Sequence, residues 1–464
     1  MNNSPLKPQD RFEIGGEDLL PKAAALEGEL EEQPACVTRS GDALDDIRVR
    51  IGTLLKTETV SLLLGAGASV DCGGQLIGSI PLAIERDLQG KGVVRSQRPR
   101  IRKWLSLFYL AVRYTNSSTA TPTTRDEILA RQSELYSGQS APLNVNFERV
   151  LETMLHWREA LPESGGRLRI DGTPPVNAEA ADIDEALRQA KDALAAACNL
   201  PSTGKESGHA THKTLVRKLL TRPLNLKRVN VFTLNYDTLV EQAADAEGVV
   251  LLDGFVGTQR RVFRPESYEQ DLYFPAETTE GRVHRFDRVL HLYKLHGSIT
   301  WRATDPSLDN PYGVFSGPFD PVASEPLLIY PTPAKYGETL GIPYSELFRR
   351  FAAAVTRPQS VLFVIGFGFG DEHVNKIILQ ALAIPSFTLV IVDPNPTSAF
   401  VSTLREQRDR RIWIAQGPTV GTISGFVEQL LPDLRDEEIR KKVLATYRAL
   451  AKNSTQQGEP LDDE

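Results

Sequence analysis

Two apolar runs that stop abruptly at polar residues constrain this chain most. Val229–Asp237 reads VNVFTLNYD and Val289–Trp301 reads VLHLYKLHGSITW. Continuous runs rich in Val, Leu, Phe and Tyr suit strands covered on both faces. The first run stops at Asn235 and Asp237, the second at His296-Gly297-Ser298. In open parallel sheets, chemistry collects at the carboxyl ends of the strands. Two adjacent strand ends would then offer an amide, a carboxylate and an imidazole to one cleft.

Shorter apolar runs recur at Thr59–Leu64, Leu327–Tyr330, Val361–Ile365, Thr388–Val392 and Arg411–Ala415. Helical patterns lie between several of them, notably Tyr344–Val355 and His373–Ala383. This alternation predicts an α/β fold, a Rossmann-like parallel sheet with helices on both faces. Residues 80–222 read almost entirely helical. There, Phe147, Val150, Leu151, Met154 and Leu155 follow helical spacing and predict an amphipathic helix over Asn146–Leu161. The expected organisation is a flexible polar arm (1–40), a sheet domain (41–453) carrying a helical insertion at about 83–222, and a disordered tail (454–464). Helices are expected at Asp42–Lys56, Thr238–Ala246, Val420–Leu430 and Asp436–Lys452. Gly254–Asp287, irregular and aromatic-rich, could cover a cleft.

A formal net charge of -7 argues against wholesale nucleic-acid binding through a basic surface. The densest cationic stretch, Arg95-Arg98-Arg100-Arg102-Lys103, reads first as a solvated face. The 3 cysteines, Cys36, Cys72 and Cys198, form no CxxC pair, so neither a local four-cysteine zinc site nor a disulfide framework is expected. The N-terminus lacks a signal-peptide layout, and no run approaches the ~18 apolar residues of a membrane span. A soluble cytoplasmic protein is expected.

Three glycine-bearing strand ends suggest a nucleotide. Gly65-Ala66-Gly67-Ala68-Ser69 follows the run Thr59–Leu64, where backbone N–H groups can approach a phosphate; a tight strand-to-helix turn is the plainer reading. There is no GxxxxGK[ST] loop. Gly366-Phe367-Gly368-Phe369-Gly370-Asp371-Glu372-His373 follows Val361–Ile365 and could form a second wall, with Gly366 and Gly368 near phosphate or ribose; Asp371 or Glu372 could instead cap a helix. Asp393, in VIVDPNP, could take a ribose diol or shape the following turn with Asn395. Asp237 reads first as a helix cap. Asn235 could hold a water or a sugar hydroxyl. His296 is followed by glycine, which leaves backbone room, and an imidazole suits proton removal from water or a ribose hydroxyl. His209 and His212 lie one helical turn apart without an evident third ligand, so packing or capping is favoured and no metal site is assigned. His284 and His291 carry no separate signal.

Together these segments resemble the sirtuin-like NAD-binding fold. The order matches: GAGAS after the first strand, TLNYD where sirtuins carry Thr-Gln-Asn-Ile-Asp, LHGS with its histidine, then a glycine loop and a strand ending at a ribose position. GFGFGDEH and NFERVLETML look more specifically like bacterial sirtuin-like proteins of antiphage defence, which cleave NAD. Leu234 replaces the glutamine of true sirtuins and the zinc-ribbon cysteines are absent, which speaks against deacetylation. The resemblance implies catalytic roles for Asn235, His296 and Asp237. It implies cofactor contacts at Gly65, Ala66, Gly67, Ser69, Thr233, Gly366, Phe367, Gly368, Asp371 and Asp393, with NAD as substrate and no zinc. It further implies a homo-oligomer and a defence partner such as a ring-forming HerA-type ATPase. The rival readings are an NAD- or ADP-ribose-binding regulatory subunit and a nuclease or nucleic-acid-binding protein.

Overall fold

In the computed structural model, the described residues are 6, 7, 9–20, 33–76, 78–94, 96, 98–116, 121–138, 143, 145, 147–161, 165–172, 175–200, 206–274, 284–318, 326–328 and 341–435. The expected tail, the expected helix Asp436–Lys452, and Ile329 and Tyr330 lie outside them.

The strands of the main sheet are β1 (Arg11–Ile14), β2 (Glu17–Asp18), β3 (Thr59–Leu64), β4 (Asn230–Thr233), β5 (Val250–Leu252), β6 (Val289–Lys294), β7 (Ser360–Ile365), β8 (Thr388–Asp393) and β9 (Ile412–Gln416). Their order across the sheet is β2-β1-β9-β8-β7-β3-β4-β6-β5. From β9 to β5 every pairing is parallel; β1 joins the edge antiparallel to β9. β3 and β7 are buried at every position, as their unbroken apolar sequences require.

Alternate side chains of these strands enter two separate cores. Leu62, Leu64, Phe363, Ile365, Val390 and Val392 face one layer, which includes α1 (Gln33–Leu54), α7 (Glu206–Leu219) and α8 (Leu239–Glu247). Leu63, Leu362, Val364, Leu389 and Ile391 face the other, built from α9 (Tyr344–Val355), α10 (Glu372–Leu382) and α11 (Ala399–Glu406). The period-2 pleat thus divides each apolar run between two helical layers.

The insertion between β3 and β4 contains α2 (Ile80–Gly92), α3 (Lys103–Asn116), α4 (Arg125–Ser137), α5 (Phe147–Glu159) and α6 (Ala180–Cys198) before α7. It has its own core, with Phe108, Tyr109, Val150, Met154 and Ala190 fully or almost fully buried. Two short ladders, Val93–Val94 with Arg100–Ile101 and Leu168–Ile170 with Val176–Ala178, lie within the stretch expected to be almost entirely helical. Buried Glu85 accepts two 2.8 Å hydrogen bonds from Arg131 and one from Tyr109.

Two expectations need correction. Part of the expected flexible arm is built into the sheet. Phe12 is fully buried, its ring edge-on to Trp413, and Asp10 accepts from Thr419 N and Val420 N. Four residues, RFEI, are too short for alternation to stand out, but they cover an edge that would otherwise be exposed. Also, the run that stops at His296, as expected, is followed directly by a further strand, and the stretch Gly254–Asp287 is not wholly irregular. After β6 the chain turns at Leu295-His296, with Gly297 at φ 86, and Gly297–Ala303 enters a five-stranded antiparallel sheet. Phe255–Val256 and Arg261–Phe263, from the stretch expected to be irregular, belong to that same sheet.

On β6, burial holds the His291 imidazole down at about 4. An unfolded chain takes up this proton first on acidification, so stability is lost as pH falls from 6.5 towards 4, by up to about 3 kcal/mol. His291→Gln should flatten that part of the curve, measured by urea unfolding at pH 7 and 4.5.

Candidate active site at the switch point of the sheet

From β3 the chain builds outward through β4 to β6, then returns to β7 on the other side of β3. The carboxyl ends of β3 and β7 therefore flank the topological switch point, where open α/β sheets bind ligands. The glycines after these strands are pressed together. Gly65 N donates to Ile365 O (3.0 Å), and Gly67 N donates to Gly366 O (2.8 Å). A Cβ on Gly65 would lie 2.5 Å from Gly366 O, and one on Gly67 would lie 2.7 Å from Gly366 Cα. Gly65 and Gly67 therefore lock the two turns together, and their N–H groups are already engaged. The Ala66 N–H makes no hydrogen bond among the described residues.

β4 delivers Asn235 to the same place. Its Nδ2 donates to Gly65 O and to Ser69 Oγ, each at 2.9 Å. Gly65 O can only accept, so the orientation of the amide is fixed. Both amide protons are spent, and Oδ1 is turned away from these partners as the acceptor. Ser69 Oγ gives its one proton to Asp237 Oδ2 at 2.7 Å. Asp237 Oδ1 accepts from Leu239 N at 3.1 Å, so this carboxylate both holds the first N–H of α8, whose N-cap position is Thr238, and anchors the serine. Thr233 is buried, donates to Leu64 O and accepts from Asn235 N at 3.0 Å; it supports the loop from below.

β6 delivers His296. Lys294 is in register with Thr233, so His296 and Asn235 each sit two residues past paired positions on adjacent strands. Ile299 N donates to Tyr236 O, joining the two loops. His296 Nε2 lies 3.2 Å from Asp371 Oδ2, with side-chain exposures of 8% and 9%. The alignment falls short of a good hydrogen bond. The Phe348 ring packs 6.1 Å from the imidazole.

The loop after β7 alternates anchors and glycines. Phe367 and Phe369 are buried and pack on each other at 4.9 Å, and Phe369 stacks on Phe400. Phe367 is thus an anchor of the loop. Gly368 and Gly370 are exposed, and a Cβ on either would meet nothing within 4 Å. Among the described residues, the N–H groups from Phe367 to Gly370 make no hydrogen bond. Four unpaired donors in one turn form a concentrated source for an anion. Asp371 Oδ1 accepts from His373 N (3.0 Å) and Val374 N, capping α10. At the end of β8, Asp393 Oδ1 accepts from Asn395 N at 2.7 Å, the expected turn geometry, and burial raises this carboxyl.

All of these strand ends come together. Asn235 touches the β3 turn, that turn touches Gly366, Asp371 touches His296, and Gly366 N donates to Val392 O beside Asp393. Residues 229–416 match the family model of the SIR2-like domain. The SIR2-like segment contains Asn235, His296, Asp371 and Asp393; β3 and its glycine turn precede it. No curated protein matches the chain. Among solved structures, a crystal structure of a Sir2 homologue–NAD complex is 12% identical, covering 84% of this chain and 94% of that one at a TM-score of 0.33. An ADP-ribose complex of a mutant Sir2 homologue is 13% identical, covering 78% and 95% at 0.28.

Lys294 and Glu241 were not singled out from the sequence. Lys294 is buried beneath these strand ends, donates to the Asp237 carbonyl and pairs with Glu241 at 3.1 Å. Burial raises the Glu241 carboxyl against the pull of Lys294. A lysine inside a largely apolar strand was the available signal. His212 Nδ1 contacts buried Cys72 Sγ at 3.7 Å, the packing role expected for it. Among the described residues, no group of three or more His, Cys, Asp or Glu could hold a metal ion, and no helix is long and apolar enough to cross a membrane.

Proposed function

We propose that the chain hydrolyses NAD at the bond between nicotinamide and ribose. The observation that supports this reading is that the oriented Asn235 amide and the His296–Asp371 pair both lie at the carboxyl ends of the parallel strands, within a segment matching the SIR2-like domain. The donors from Phe367 to Gly370, with Ala66 N–H, suit a pyrophosphate. The Asp393 carboxylate suits the adenosine ribose diol. Asn235 Oδ1 suits a hydroxyl of the nicotinamide ribose or the attacking water. The C1′–N bond breaks with its electron pair going to nicotinamide, which leaves neutral. Water forms the new C1′–O bond and His296 takes its proton, giving ADP-ribose.

The likeness of GFGFGDEH to defence proteins extends the reading to NAD depletion during infection, in a homo-oligomer gated by a partner such as a ring-forming ATPase. The test is to incubate the pure protein with NAD, alone and with such a partner, and resolve nicotinamide, ADP-ribose and cyclic ADP-ribose by chromatography. Asn235→Ala should lower nicotinamide release at least ~100-fold. Tight NAD binding without product under every condition would replace the reading with that of a binding subunit.

A further inference from the structure

We infer that Asp371 is the positioning carboxylate of His296, holding the imidazole's orientation and charge, and is not a contact to the nucleotide. The inference rests on the hydrolase reading for its kinetic consequences, though the pairing itself is testable without it. Three observations carry it. Asp371 Oδ1 accepts from His373 N and Val374 N, and Oδ2 lies 3.2 Å from His296 Nε2. Both side chains are more than nine-tenths buried, where a carboxylate acts strongly on a neighbouring ring. The carboxylate is also fixed independently of the histidine, because capping α10 sets its position.

Among the described residues, Asp371 is an anion that faces the ring. α9 contributes the apolar Phe348, which also packs against His373 at 4.6 Å. On α10, His373 feels the same carboxylate, but burial, aided by Lys376, holds its imidazole low. Lys294, two residues before His296, is taken up by the Asp237 carbonyl and Glu241. A carboxylate at Nε2 favours a proton on that nitrogen, fixes the ring plane and makes the imidazole a stronger base.

Asp371→Asn separates the roles, because asparagine caps a helix as well as aspartate but carries no charge. Asp371→Ser is a second uncharged cap should the amide pack badly. Both variants should melt with the wild type and keep KM for NAD within about 2-fold, while kcat falls at least ~10-fold. The acidic limb of the kcat–pH profile should move to lower pH, because removing a neighbouring anion lowers the imidazole pKa. In ring-labelled protein, the histidine resonance missing from His296→Ala should likewise titrate lower in Asp371→Asn. Wild-type kcat and an unmoved profile, or a rise in KM alone, would overturn the inference. If the wild type releases no nicotinamide, the hydrolase reading fails by itself. The ring titration then decides the pairing: a downward shift supports it, and an unmoved resonance removes it.

Discussion

Replacing His296 with alanine should cut nicotinamide release by about 10²–10⁴-fold, the usual range for losing a general base, while the protein stays folded. The fold should survive because the imidazole sits in a turn after β6, and the turn itself is set by main-chain bonds. Leu295 N donates to Thr233 O, and Ile299 N donates to Tyr236 O. Asp371 keeps two backbone donors after the truncation, so no buried carboxylate is stranded. Nicotinamide release measured beside a thermal melt checks both halves. Undiminished turnover by a well-folded His296→Ala protein would remove the histidine from the mechanism.

The second large effect separates two glycines of one loop. Gly366 has φ +65, and a Cβ there would lie 2.4 Å from Ala68 N and 2.5 Å from Gly67 C. These are backbone atoms of the facing turn and cannot rotate away. Gly366→Ala should cost about 3 kcal/mol or more, combining an unfavourable backbone region with forced separation of β3 and β7 at their ends. Gly368→Ala places its methyl where nothing lies within 4 Å and should change stability by less than about 0.5 kcal/mol. If the loop receives the pyrophosphate, that same methyl should raise KM for NAD. Denaturant unfolding of both variants tests the contrast; equal, small losses would show that the turns are not locked at Gly366.

The sheet was legible because a parallel strand covered on both faces leaves a continuous apolar run, and β3, β6, β7 and β8 each carry one. The residues at the strand ends were legible for the same reason: polar side chains interrupt those runs abruptly at Asn235 and His296. Their partners were not. Asp371 reads equally well as a cap or a ligand contact, and only the folded chain shows it capping α10 while reaching an imidazole 75 positions earlier. Gly65 and Gly67 looked like phosphate donors, yet their N–H groups join two turns, a long-range fact that local spacing does not encode. The antiparallel sheet stayed hidden because its strands are short and are separated by turns of mixed composition. β1 was concealed by its polar surroundings.

Tyr236 is one of the points where the helical insertion meets the sheet domain. Its side chain lies against the core of the helical insertion, while one peptide bond away Asn235 holds the amide clamped between Gly65 and Ser69. A substitution that repacks the helices around Tyr236 therefore acts one residue from the amide on which the proposed reaction depends.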